Sequence, residues 1–75
     1  MPTISDSKSF GLLIRDERKA QKLTQEQLAG LTGVGVRFVR ELEAGKESCQ
    51  IGRAFQVAAA LGLRVSVASR RDSAP

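Results

Sequence analysis

Residues 23–46 read LTQEQLAGLTGVGVRFVRELEAGK, and where this stretch breaks decides the fold. Thr24 is followed three residues later by Gln27, which places a hydroxyl at a helix N-cap and an amide at the third helical position, the reciprocal pair of a capping box. The spacing predicts a short helix running to about Leu31. Thr32, Gly33, Val34 and Gly35 interrupt it, since Gly33 takes the positive φ that ends a helix and starts a tight turn. A further helix is predicted from about Val36 to Ala44, closed by Gly45. With residues advancing by about 100° each, Val39, Leu42 and Glu43 fall on one side of it, flanked by Val36 and Phe38. Arg37, Arg40, Glu41 and Ala44 fall on the other.

Outward from this stretch, Phe10, Leu13 and Ile14 recur at helical spacing and predict a helix over about 7–21, its outer face carrying Lys8, Arg15, Lys19 and Lys22. On the other side, Ile51, Ala54, Phe55, Ala58, Ala59 and Leu61 predict an amphipathic helix over about 50–61, stopped by Gly62. Residues 63–69, LRVSVAS, alternate apolar and polar with β-branched residues, which is the period of a strand. A strand alone has no partner for its backbone donors and acceptors. A second copy of the chain satisfies them in a two-stranded ribbon that also buries Leu63, Val65 and Val67. The expected organisation is thus a loose N-terminus over 1–7, a helical domain over 8–62, a dimerisation strand over 63–69 and a disordered tail over 70–75. The fold class is mainly α, a compact four-helix domain with a C-terminal β-strand. Its expected core is Phe10, Ile14, Leu23, Leu28, Val34, Val39, Leu42, Ile51, Phe55 and Leu61.

Seventy-five residues allow one small domain, which buries too little surface to be comfortably stable alone and makes a partner subunit expected. Twelve basic residues against eight acidic give a net charge of +4, a balance suited to a polyanion. That charge is uneven. Within residues 25–48 the cations Arg37, Arg40 and Lys46 face Glu26, Glu41, Glu43 and Glu47, so the middle of the chain is slightly acidic and the flanks supply the excess. Histidine is absent and Cys49 is the one cysteine, which excludes an internal disulfide and a His/Cys metal cluster. With no phosphate-binding glycine loop either, an enzyme, a metal or a cofactor is not expected. No apolar run approaches a membrane span, and the opening residues lack a secretory pattern, so the cytoplasm is the expected location.

Two short helices joined by a glycine turn, the second with a polar outer face, have the shape of a helix-turn-helix. Residues 23–46, with FGLLIRDERKAQK before them and a helix and strand after, resemble the Cro/C1-type (XRE) helix-turn-helix family over about residues 8–69. The RFV-x-ELE-x-GK pattern and the terminal strand look most like the HipB-type antitoxin regulators. The resemblance implies a lambda-repressor-like fold, a homodimer on palindromic double-stranded DNA, a shared β ribbon and a HipA-like kinase toxin as a further partner. It implies that Val36, Arg37, Arg40 and Glu41 face base edges, that Thr24, Gln25, Gly35 and Lys46 lie at the DNA backbone, and that Arg18 and Glu43 tie the first helix to the recognition helix.

The chain departs from the family pattern at three positions. Gly35 stands where a polar residue usually opens the recognition helix and so withholds a side-chain cap. Val36 replaces a common Gln or Arg, leaving a thymine methyl or core packing as its contact. Phe38 replaces a small polar residue. The leading expectation is a repressor that autoregulates a toxin–antitoxin operon. The alternatives are a regulator of this family unconnected to a toxin, and an adaptor of the same fold whose strand docks on a partner sheet.

Overall fold

A computed structural model describes residues 4–69 and 71. Four helices follow in order: α1 over Ser7–Ala20, α2 over Gln25–Thr32, α3 over Val36–Glu43 and α4 over Ile51–Ala60. These match the expected helices to within a residue or two at each end. Helices α2 and α3 pack on each other, α1 packs on α3, and α2 packs on α4.

Local chemistry sets the helix ends. Asp6 caps α1: its Oδ1 accepts from the Ser9 N–H at 2.7 Å, while Ser9 Oγ accepts from the Asp6 N–H at 3.1 Å. The backbone hydrogen bond from Ser9 holds the Asp6 carboxyl below its ordinary value. Asp6, within the stretch 1–7 read as loose, is the N-cap of α1. Thr24 caps α2 in the expected box, its Oγ1 accepting from Gln27 N–H at 3.0 Å and its own N–H donating to Gln27 Oε1 at 2.8 Å. Gly33 follows with φ 77°.

Ile14, Leu28, Val39 and Val57 are wholly buried, with Leu42, Leu61, Ala29, Ala54 and Ala58 around them. Phe10, Leu23 and Val34 pack against this centre from its edge. Two of the expected core residues do not belong to it: Ile51 is 67 % exposed and Phe55 is 44 % exposed. The inner stripe of α4 is Ala54, Val57, Ala58 and the C-cap Leu61, and Ile51 and Phe55 are rotated off that stripe. Val57, overlooked in the sequence, takes the central position. Ile51 and Phe55 instead line an open cleft of about 450 Å³ with Ile4, Phe10, Val65 and Val67.

Residues 63–69 belong to no helix and to no ladder within the chain. The Leu63 N–H donates to the Ala58 carbonyl at 2.9 Å, closing α4, and its side chain packs half-buried on the core. Leu63 thus keeps part of its side chain on its own subunit, whereas Val65 and Val67 are exposed. Much of the expected loose N-terminus and tail, residues 1–3, 70 and 72–75, lies outside the described residues. No helix is long and apolar enough to cross a membrane among the described residues.

Candidate nucleic-acid interface

Helix α3 is held by its inner face and presents its outer one. Val39, Leu42 and Glu43 are buried, whereas the side chains of Arg37 and Arg40 are 88 % and 59 % exposed. Val36 and Phe38 are half-buried and pack against the core, so much of Val36 is spent on packing rather than offered to a ligand. Gly35 is the N-cap, in extended backbone at φ −72° and ψ 152°, and gives no side-chain hydrogen bond. Its carbonyl accepts from the Phe38 and Val39 N–H groups at 3.0 and 3.3 Å, so the helix starts there without a side-chain cap.

Behind α3, Arg18 of α1 grips Glu43. Arg18 Nε donates to Glu43 Oε2 at 2.7 Å and Nη2 donates to Oε1 at 3.0 Å, a two-pronged pair with both side chains almost fully buried. Arg18 Nη1 also donates to the Leu23 carbonyl at 2.8 Å, fixing the chain between α1 and α2. Donating to the Glu43 carboxylate holds the Arg18 guanidinium above its ordinary pKa despite the opposing effect of burial. Gln25, at the start of α2, donates through Nε2 to Glu43 Oε1 at 3.1 Å. One carboxylate therefore anchors α1, α2 and α3 together, and every buried side-chain nitrogen or oxygen among the described residues has a hydrogen-bond partner.

The outer face is ionically paired within itself. Lys46 Nζ donates to Glu41 Oε2 at 3.0 Å, Arg37 Nε lies 3.7 Å from the same oxygen, and Arg40 lies 3.9 Å from Glu26 of α2. The end of α3 brings Lys46 back to Glu41. Gly45, at φ 85°, turns the chain so that its N–H reaches the Leu42 carbonyl at 3.1 Å and the Lys46 N–H reaches the Glu41 carbonyl at 3.0 Å. Only glycine fits there comfortably, because the conformation is left-handed and a β-carbon would press on the backbone of Lys8.

The structure thus gathers Arg37, Arg40, Glu41 and Lys46 on one surface and places Arg18 and Glu43 behind it, with Gln25 and the capping Thr24 at the adjoining end of α2. Two contacts were not assigned from the sequence, although Glu26 was counted among the acids of residues 25–48. Glu26 partners Arg40 from α2, and Gly11 lets α1 lie directly on the end of α3, where a β-carbon would overlap the carbonyl oxygens of Leu42 and Glu43. Neither has a local signature, since both contacts join residues far apart in the chain.

Residues 14–67 match the HTH_3 family model, described as helix-turn-helix. An uncharacterised HTH-type transcriptional regulator, y4mF of Sinorhizobium fredii (strain NBRC 101917 / NGR234), is 48 % identical over 58 residues, covering 77 % of this chain and 76 % of that protein. Among solved structures, chains of the HipB-O4 20mer complex and of the HipA-HipB-O2-O3 complex each superpose with a TM-score of 0.85 at 16 % identity. Each superposition covers 93 % of this chain and 99 % of the other, a likeness of fold.

Proposed function

The chain belongs to the HTH_3 helix-turn-helix family, the Cro/C1 type of transcriptional regulator, and from that premise we propose that it is a homodimeric, sequence-specific DNA-binding repressor. The observation that carries this reading is the outer face of α3. Arg37 and Arg40 project from a helix fixed from behind by Arg18, Glu43 and Gln25, which is how a reading helix keeps its register in a major groove. Arg37 reads guanine through O6 and N7, and Arg40 and Glu41 meet neighbouring base edges. Thr24, Gln25, Gly35 and Lys46 lie at the phosphates, where the free N–H groups at the start of a helix favour an anion. Gln25, with its amide nitrogen on Glu43, serves as a brace as much as a contact.

Dimerisation is supported by the apolar cleft. Ile51, Phe55, Val65 and Val67 are exposed together around one cleft, and a contiguous apolar surface is what a subunit contact covers. A second copy covers it while pairing residues 63–69 in a ribbon. Two α3 helices related by a two-fold axis then read half-sites one DNA turn apart, roughly 34 Å.

The likeness of fold to chains of HipB complexes, one of which contains HipA, supports an antitoxin role in which the dimer also binds a HipA-like kinase. Selection from a random duplex pool tests the DNA reading: enrichment of a palindrome, lost in Arg37→Ala and Arg40→Ala while the dimer stays folded, is the expected result. Unchanged selection by both variants would show that α3 is not the reading helix. Co-purification with a HipA-like kinase separates an antitoxin from a regulator with no toxin.

A further inference from the structure

Folding gives little reason for a carboxylate at position 41. Glu41 lies in the last turn of α3, where the negative end of the helix dipole disfavours an acid, and partly exposed ion pairs such as those it makes add little stability. On a surface that approaches phosphates its charge is repulsive. Yet it is the most enclosed member of its group: the side chain of Glu41 is 32 % exposed, against 88 % for Arg37 and 47 % for Lys46. Lys46 is tied to it twice, through the backbone at the end of α3 and through Nζ. The carboxylate is the fixed point about which two longer cations are arranged.

Resting on the reading of α3 as the DNA-facing helix, we propose that Glu41 is the specificity-determining residue of this surface. Its carboxylate lies 3.7 Å from Arg37 Nε and 3.0 Å from Lys46 Nζ, so it steadies Arg37 from the Nε side, keeps the Nη groups for one guanine edge, and offsets one of the two positive charges towards any phosphate that arrives without that base. Non-specific duplex is bound weakly as a result, because fewer cations are available to release counterions. The correct base edge repays the loss, since it engages Arg37 without breaking its contact with Glu41.

The test uses the full chain, with Glu41→Gln beside Asp16→Asn, which removes the same charge from an exposed position on α1. Affinity is measured across a salt series for a duplex that the wild type selects and for a scrambled duplex of equal length. Glu41→Gln is expected to keep its melting temperature, to bind the scrambled duplex several-fold more tightly, and to steepen the slope of log affinity against log salt by about one. The selected-to-scrambled ratio falls, whereas Asp16→Asn leaves it in place. An unchanged ratio in Glu41→Gln, or an equal change in Asp16→Asn, overturns the proposal alone. A wild-type chain that enriches no sequence overturns it together with the reading of α3.

Discussion

Arg18 and Glu43, 25 residues apart in the chain, form a two-pronged ion pair in the interior, with Arg18 Nε 2.7 Å from Glu43 Oε2. Buried charges of this kind cost so much desolvation that the pair adds little over an apolar replacement, while a lone survivor is strongly destabilising. Arg18→Ala and Glu43→Ala are each expected to lose about 3 kcal/mol, lowering the melting temperature by more than about 10 °C in a domain of this size. The double variant Arg18→Met with Glu43→Leu is expected to recover part of the loss, the remainder reflecting the Leu23 carbonyl and Gln25 amide left without these partners. Thermal melts of the three variants check this; additive losses in the double variant would contradict it.

The close approach of α1 to the end of α3 makes two glycines behave oppositely. Gly11→Ala drives a methyl into the Leu42 and Glu43 carbonyls and is expected to cost about 2 kcal/mol or more. Gly30→Ala, in α2 with open space around it, is expected to stabilise by about 0.5–1 kcal/mol through helix propensity. Urea titrations of both variants should move the midpoints in opposite directions.

Gly35 sits in ordinary N-cap geometry with nothing near its missing β-carbon. Gly35→Ser supplies the absent side-chain acceptor and is expected to stabilise by a few tenths of a kcal/mol. A rise of a few degrees in melting temperature would agree, and a fall would mean that the start of α3 does not tolerate a side chain.

The Asp6 cap makes stability depend on acidity. Because the folded carboxyl is held below its ordinary value of 3.8, its contribution is fully present above that pH and is lost as the pH falls through the lowered folded value. Asp6→Asn keeps a capping oxygen without the titration. Between about pH 6 and about pH 3 the wild type should therefore lose more stability than the variant; equal losses would remove Asp6 from the acid response.

If a second copy covers the apolar cleft, Phe55→Ser should weaken self-association by at least about tenfold, since burying a phenylalanine is worth about 2 kcal/mol. Val67→Ser should act in the same direction. Sedimentation equilibrium reads the dissociation constant directly, and wild-type values in both variants would send the dimer contact elsewhere.

What the sequence determined by itself was whatever depends on neighbours in the chain. The capping pair Thr24 and Gln27, the breaks at Gly33 and Gly45, and the inward and outward faces of α3 follow from hydrogen bonds and periodicity within a few residues. The pairing of Arg18 with Glu43 came from family resemblance, because nothing local brings α1 to α3. Tertiary packing alone decided that Gly11 must lack a side chain, that Val57 and not Ile51 or Phe55 fills the centre, and that Leu63 turns inward. It also decided that Glu26 of α2 meets Arg40 of α3. A helical stripe in sequence says that some face is buried, but the small residues where two helices touch fix which side chains of that stripe reach the interior.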